Sequence, residues 1–415
     1  MRAVACLLLC ACDIGAIAAR RGCGLEGAAF CDGPVADSPG GRGGPLDERR
    51  WQVSRFSHVS NVPQGQINAW EPAPGVGCGG TREGLVPPND VFVCDGRFHD
   101  AFTASLSFAM HDFSLRQPFD FAGRTGTVTF SLGGPVKTTN GWWPEVWLTE
   151  APRQIPHLHE STGSEPTVER GLGIVLKGEG PCSDDERQTA VSQVVVVDGY
   201  AVTTFSDAQL QNVECFAVGD GVMNHFELRV SQGQVELLLT PPGGAARTVL
   251  SLAVSLPFTR GHLHLEQIAW GTTRPNTLAW ADVGFDGPSL PAWVAYEHPD
   301  AQEPASRLAP GSINTGYAMV SPFAASFKGV ELDGKTEAWL ALTASLTQPF
   351  ELQVRVNGGA WERVADPTPA ITHEWRALLL PVPIASLSEG DNTIELQTTV
   401  VDGFAHVANV ELLLR

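Results

Sequence analysis

A segment of eight residues places three tryptophans beside one carboxylate: Gly141-Trp142-Trp143-Pro144-Glu145-Val146-Trp147-Leu148. Side chains of a strand alternate between two faces, so Trp143, Glu145 and Trp147 would share one face and the apolar residues between them the other. Indole rings stack on sugar rings, and a carboxylate accepts hydrogen bonds from hydroxyls. We therefore predict a ligand-binding surface at these three residues. The alternative is that all the rings lie in the core, but a buried glutamate would then need hydrogen-bond partners.

The segment His262-Leu263-His264-Leu265-Glu266 holds a second group of candidate site residues. On a strand, His262, His264 and Glu266 share a face, and the two leucines point toward a core. Two histidines and a carboxylate can bind a transition metal. A polar sheet face is the more frequent arrangement, and we predict no metal site. If that face is concave, His262 and His264 line the ligand-binding surface.

Four groups of segments resemble, in order and spacing, the concanavalin A-like lectin/glucanase superfamily, in particular laminarinase-type glycoside hydrolases of family 16. They are residues 143–148; 30–34 followed by 46–51; 225–230 with 235–237; and 280–285. The resemblance implies an antiparallel β-sandwich in which the 143–148 strand lines a concave, sugar-binding cleft.

The resemblance also implies where catalytic acids would lie. Retaining hydrolysis of this type uses two carboxylates about 5–5.5 Å apart. The family carries them on one strand as E-x-D-x-E or E-x-D-x-x-E, and residues 168–175 are the corresponding strand here. Counting from Glu169, the positions of the other acids hold Gly171 and Gly173. The family's catalytic machinery is therefore missing from this strand.

We predict an extracytoplasmic carbohydrate-binding protein that recognises polysaccharide on an aromatic concave face. One alternative is a retaining glycoside hydrolase acting on a β-glucan-like polysaccharide, with its acids relocated among Glu145, Glu150 and Glu169. The other is a surface adhesion or scaffold protein. No cofactor is predicted. The loops of such sandwiches often bind a structural calcium ion, but no calcium site is legible in this sequence.

Charge limits the range of partners. The 415 residues carry a net charge of −19. A surface this acidic repels phosphate backbones, which argues against nucleic acid as a partner, whereas uncharged polysaccharide is compatible with it.

The N-terminus resembles a bacterial lipoprotein signal. Arg2 supplies a positive charge, residues 3–9 an apolar run, and Leu9-Cys10-Ala11-Cys12 a lipobox-like motif. Cys12 is the predicted lipidated residue, and Leu7-Leu8-Leu9-Cys10 is a competing register. We predict a signal at residues 1–12, a flexible tether at 13–45, and a secreted or cell-surface lipoprotein anchored by lipid.

Six cysteines remain outside the signal, an even number that favours disulfides in an oxidising compartment. Fifteen pairings are open to six cysteines. Proximity in sequence favours Cys23–Cys31, Cys78–Cys94 and Cys182–Cys215. A zinc site is the rival interpretation, but no Cys-x-x-Cys pair supports it.

Two β-sandwich domains are predicted, because short alternating segments punctuated by Gly and Pro dominate the chain after Trp51. A boundary falls at Gly287-Pro288-Ser289-Leu290-Pro291. We place a concanavalin A-like sandwich at residues 46–288 and a smaller jelly-roll accessory sandwich at 292–415. The segment 390–396 in the second sandwich resembles the last hairpin of galactose-binding-like jelly rolls. Because both domains are predicted β-sandwiches, the predicted fold class is all-β.

Overall fold

The computed structural model describes residues 23–32, 50–58, 90–94, 97–102, 106–134, 142–152, 157–160, 163–166, 168–178, 182, 188–206, 209–210, 214–272, 276–298, 317–318, 323–346, 352–364, 374–398 and 405–415. Nearly all of the regular structure in these ranges is β-strand, with one 3-10 turn at Ile384–Ser386. The all-β class is confirmed. No helix in this part of the chain is long and apolar enough to cross a membrane.

Within the described ranges, nineteen strands precede residue 286. In chain order they are β1 (Phe30–Asp32), β2 (Trp51–His58), β3 (Asp90–Cys94), β4 (Arg97–Phe102), β5 (Leu106–Leu115), β6 (Phe119–Asp120), β7 (Gly126–Gly134), β8 (Trp142–Thr149), β9 (His157–Glu160), β10 (Gly163–Pro166), β11 (Arg170–Lys177), β12 (Gln188–Asp198), β13 (Ala201–Ser206), β14 (Phe216–Ala217), β15 (Gly219–Ser231), β16 (Gln234–Thr240), β17 (Arg247–Ala253), β18 (Arg260–Thr272) and β19 (Asn276–Phe285).

Nine strands follow. They are β20 (Val294–Glu297), β21 (Tyr317–Ala318), β22 (Phe323–Val330), β23 (Ala338–Leu346), β24 (Leu352–Val356), β25 (Glu362–Val364), β26 (Glu374–Pro381), β27 (Gly390–Thr398) and β28 (Ala405–Leu414).

The first sandwich consists of two antiparallel sheets. The eight-stranded sheet has the order β17-β16-β15-β7-β19-β4-β3, with β1 beside β19. The nine-stranded sheet has the order β13-β12-β11-β8-β18-β5-β2, with β14 beside β12 and β6 beside β18. Large side chains from both sheets are fully buried in one core between them, among them Phe113, Phe130, Phe226 and Trp280. This burial of aromatic area stabilises the sandwich.

Alternation along β8 and β18 divides the nine-stranded sheet into two faces. Val146 and Leu148 of β8 and Leu263 and Leu265 of β18 lie in the shared core, as predicted. The residues between them project from the opposite side of the sheet. We call that side the outer face.

The second sandwich is smaller and has its own core. One sheet has the order β20-β28-β23-β26, with β21 beside β28, and the other has the order β22-β27-β24-β25. Phe327, Leu340, Ile394 and Leu412 are fully buried between them. Residues 357–361 connect β24 to the three-residue strand β25, which pairs with it.

Among the described residues, two disulfides join cysteines that are near one another in sequence, Cys23 to Cys31 and Cys182 to Cys215. Both agree with the pairings favoured above. Cys78 of the proposed Cys78–Cys94 bridge, Cys12, the signal and residues 13–22 and 33–45 of the tether lie outside the described residues. Residues 23–32, which the prediction places in the flexible tether, instead hold the Cys23–Cys31 disulfide and β1, which pairs with β19. The domain limits at 46–288 and 292–415 remain a prediction.

Candidate functional site

Three strands of the nine-stranded sheet bring three acids into one row. Glu145 of β8 lies directly opposite Glu266 of β18, and Glu266 lies opposite Asp112 of β5. Directly opposed residues in antiparallel strands have Cβ atoms about 4.5–5.5 Å apart and share a face. We call Asp112, Glu266 and Glu145 the acid row. All three are buried on the outer face, away from the sandwich core.

The indoles of β8 hold Glu145 in place. Trp143 Nε1 donates to Glu145 Oε1 at 2.7 Å, and Trp147 Nε1 donates to Glu145 Oε2 at 2.8 Å. Residues two apart on a strand are neighbours on one face, which allows one carboxylate to accept from the rings on both sides. Both carboxylate oxygens therefore have partners within the strand.

The prediction that these rings form an exposed stacking surface is wrong. Trp143 is 7% exposed, Trp147 is 1% exposed and Glu145 is fully buried. The Lys177 ammonium lies 4.7 Å from the Trp143 ring centroid, and Trp147 packs in a small apolar cluster with Val168, Val195 and Val197. The rings are buried because Glu145 itself satisfies their N–H groups, which removes the cost of burying them.

Gly173 explains why the family's acid positions are empty. It lies opposite Trp147, and a Cβ at Gly173 would come within 2.5 Å of the indole ring. A Cβ at Gly171 would meet Val168 at 3.1 Å. The indole of Trp147 thus occupies the space that an acidic side chain at residue 173 would need.

We expect Gly173→Ala to destabilise the protein by about 1–3 kcal/mol, because the new methyl group must displace the Trp147 ring. Gly233→Ala is the matched control, since a Cβ there meets nothing within 4 Å. Equilibrium urea unfolding of both variants measures the difference. Equal stabilities would show that the indole does not occupy this space.

His264 connects the acid row to Thr149. Its Nδ1 lies 3.0 Å from Asp112 Oδ1, and its Nε2 lies 2.7 Å from Thr149 Oγ1. The same hydroxyl lies 2.8 Å from Ala151 O, and a hydroxyl has one hydrogen to donate. Asp112, His264 and Thr149 therefore form one chain of polar contacts that ends at the Ala151 carbonyl oxygen.

His262 is buried on the same face but has a different environment. Its Nδ1 lies 3.0 Å from the Leu115 carbonyl oxygen. The pKa of His262 is lowered to about 3, chiefly by burial against the opposing effect of the Leu115 hydrogen bond, with smaller lowering contributions from the neighbouring His264, Arg415 and Arg260. His262 is therefore neutral in the folded protein at neutral pH and donates to Leu115 O.

Neither of the other two candidate acids joins the row. Glu150 is exposed and forms an ion pair with Arg170 at 2.9 Å, and Glu169 is exposed in the turn before β11. The other two acids of the row come instead from β18 and β5. Sequence reasoning placed Glu266 only with the histidines and missed Asp112, although alternation of Asp112 with the core residue Phe113 was a readable signal.

A second polar cluster lies on the eight-stranded sheet. Ser131 Oγ donates to Asp282 Oδ2 at 2.7 Å and lies 3.2 Å from His225 Nδ1. Asp contacts Ser here rather than His, so the order differs from that of a Ser-His-Asp relay. Among the described residues, no group of three or more His, Cys, Asp or Glu side chains is arranged to hold a metal ion.

No protein-family model matches this chain, and no curated protein sequence matches it. Solved structures similar to it are family 16 glucanase-like proteins and lectins. A pseudo β-1,3-glucanase and immunostimulatory antigen of Mycobacterium tuberculosis is 13% identical, with 63% of this chain and 99% of that chain covered and a TM-score of 0.35.

A Bacteroides ovatus family 16 glycoside hydrolase for mixed-linkage glucan, in complex with its product, is 12% identical, with coverages of 62% and 99% and a TM-score of 0.35. A lectin from Griffonia simplicifolia is 12% identical, with coverages of 48% and 90% and a TM-score of 0.30. These are the groups named by the sequence resemblance, and the similarity to them is remote. The description of the sandwiches rests on their own sheets and cores.

Proposed function

We propose that this chain is a carbohydrate-binding protein and that its binding surface is the outer face of the nine-stranded sheet, around Asp112, Glu266 and Glu145. The observation that carries the proposal is the acid row itself. Burying three carboxylates side by side costs folding free energy, even when each has partners. Groups of buried, interacting titratable side chains are candidates for functional sites.

The chemistry of the row favours a neutral sugar. Carboxylates accept hydrogen bonds from hydroxyls, and the donors and acceptors of His264 and Thr149 lie beside them. The net charge of −19 repels anionic ligands. An uncharged polysaccharide provides hydroxyl groups and carries no negative charge.

The role of the tryptophans changes in this proposal. Trp143 and Trp147 orient Glu145 through their N–H groups and do not stack on a sugar ring. Recognition then depends on a few hydrogen bonds to hydroxyls, each worth about 0.5–1.5 kcal/mol between neutral groups and about 1.5–3 kcal/mol to a charged carboxylate. We expect modest affinity for a single site.

We expect Glu266→Gln to weaken glycan binding roughly ten- to hundredfold, because a hydrogen bond to a charged group is worth about 1.5–3 kcal/mol. An array of neutral oligosaccharides identifies the ligand, and titration calorimetry compares the variant with the wild type. Glu236→Gln is the control, because Glu236 lies on β16 of the other sheet, where it accepts a hydrogen bond from Gln234. Equal loss in both variants, or a blank array with the wild type, would contradict the proposal.

A second candidate function, retaining glycoside hydrolysis, is favoured by one observation. The direct opposition of Glu145 and Glu266 is compatible with the carboxyl separation of about 5–5.5 Å that retaining enzymes use. Measuring reducing ends in the binding samples separates the two functions. Release of reducing ends that stops in Glu145→Gln would indicate a hydrolase, whereas intact glycan would indicate a binding protein.

We propose an extracytoplasmic location, supported by the disulfides Cys23–Cys31 and Cys182–Cys215. A lipid anchor at Cys12 would make that residue the acylated first residue of the mature chain. The intact mass of the mature protein tests this directly.

A further inference from the structure

A buried hydrogen bond between side chains joins the two sandwiches. Gln52 Nε2 donates to Glu411 Oε2 at 2.6 Å. Gln52 lies on β2 of the first sandwich and Glu411 on β28 of the second, 359 positions apart in sequence. Gln52 is 6% exposed and Glu411 is 1% exposed. The two sandwiches are therefore in contact at this point.

Gln52 belongs to the outer face. Its neighbour Trp51 lies in the core of the first sandwich, so Gln52 projects to the other side of the sheet. Across adjacent strands, Gln52 lies opposite Ser114, Ser114 lies opposite His264, and His264 lies opposite Trp147. This row lies two residues along the strands from the acid row, so the contact with the second sandwich is made on the surface that contains the proposed binding site.

The second sandwich meets this surface with the side of its sheet that faces away from its own core. Leu412 lies in that core, so Glu411 and Leu413 project outward. Leu413 forms a buried apolar cluster with Trp293 and Ala341. The backbone N–H of Trp293 donates to the carbonyl oxygen of Arg116, one residue beyond β5. The apolar cluster is thus tied to the end of a strand that carries the acid row.

Arg415 lies beside the apolar cluster. Its guanidinium lies 4.6 Å from the Trp293 ring centroid. Its charge also contributes to the lowered pKa of His262, on the outer face of β18. Contacts from β2 and from Arg116, one residue beyond β5, lead to the same side of the second sandwich.

We propose that the second sandwich is a built-in cover for the outer face, closed by the Gln52–Glu411 hydrogen bond, and that carbohydrate reaches the acid row when this contact opens. The identity of the ligand in this inference rests on the proposed function. The existence of the cover does not depend on it. Interfaces between domains of one chain commonly allow relative motion. A single hydrogen bond to a carboxylate is weak enough to open on binding.

Gln52→Glu tests the cover. It places a second carboxylate against Glu411 at hydrogen-bond distance, and like charges this close repel strongly when they are shielded from water. We expect amide hydrogen exchange in β5 and β18 to become roughly tenfold faster or more at neutral pH. Mass spectrometry of peptides from these strands measures the rates.

Two further variants separate opening from misfolding. Gln234→Glu makes the same change beside Glu236, in an exposed pair on β16, and should leave exchange in β5 and β18 unchanged. The double variant Gln52→Glu/Glu411→Gln restores the hydrogen bond with its partners exchanged and should return the rates to those of the wild type. Unchanged rates in Gln52→Glu, or faster exchange throughout the chain that the double variant does not reverse, would overturn the proposal.

Glycan titration of the same variants distinguishes this inference from the proposed function. Tighter binding by Gln52→Glu, reversed in the double variant, supports both. Opening without glycan binding by any variant keeps the cover but contradicts the carbohydrate function. Glycan binding that is equally strong in the open and closed variants contradicts gating by the second sandwich and leaves the function standing.

Discussion

Glu145→Ala is expected to lower the free energy of unfolding by about 2–6 kcal/mol. The change leaves the N–H groups of Trp143 and Trp147 buried without their acceptor, and each orphaned buried donor costs about 1–3 kcal/mol. Loss of the buried side chain adds a cavity. Equilibrium urea unfolding followed by tryptophan fluorescence measures the change.

The background Trp143→Phe/Trp147→Phe provides the control for this prediction. With no indole N–H left to satisfy, removing Glu145 should cost much less than in the wild type, because replacing both partners of a hydrogen bond avoids the orphaned donor. Glu227→Ala, which removes only a surface ion pair with Arg229, should cost no more than about 1 kcal/mol. Equal cost of Glu145→Ala in both backgrounds would show that the indole hydrogen bonds contribute nothing.

Acidification from pH 6.5 toward pH 3 is expected to remove several kcal/mol of stability through His262 alone. The unfolded chain binds a proton at His262 near its ordinary pKa of 6.5, whereas the folded protein does so only near a pKa of about 3. Between these values the unfolded state holds more protons, so unfolding becomes easier as the pH falls. The slope approaches about 1.4 kcal/mol per pH unit.

His262→Gln should remove this contribution to the pH dependence. The free energy of unfolding is measured for the variant and the wild type at pH 7, 6, 5 and 4. The two values should converge as the pH falls, because the wild type loses the stability that depends on neutral His262. The carboxylates that titrate in the same pH range are present in both proteins. Their contribution to the pH dependence therefore cancels in the difference between the two curves. Parallel curves would show that His262 does not remain neutral in the folded state.

Local alternation predicted much of the geometry around β8. It placed Val146 and Leu148 in the core and grouped Trp143, Glu145 and Trp147 by face. It did not predict that these side chains are buried, because their burial depends on contacts that are distant in sequence, such as Trp147 with Val195 and Val197. The core alternative was set aside because a buried glutamate needs partners. Those partners proved to be the neighbouring indoles.

The acid row could not be assembled from sequence. Asp112, Glu145 and Glu266 lie on strands separated by tens of residues, and their opposition depends on the register of β5, β18 and β8. A shift of one residue in any pairing would move an acid to the other face. The glycines at 171 and 173 were recognised as missing acids, but only the packing of Trp147 against Gly173 gives the reason.

A crystal structure with a bound neutral oligosaccharide, chosen by the array, tests the carbohydrate proposal most directly. The account predicts sugar hydroxyls within hydrogen-bond distance of Glu266 and its neighbours on the outer face, with the second sandwich displaced from Gln52. Sugar bound elsewhere, with Asp112, Glu266 and Glu145 still covered, would contradict it.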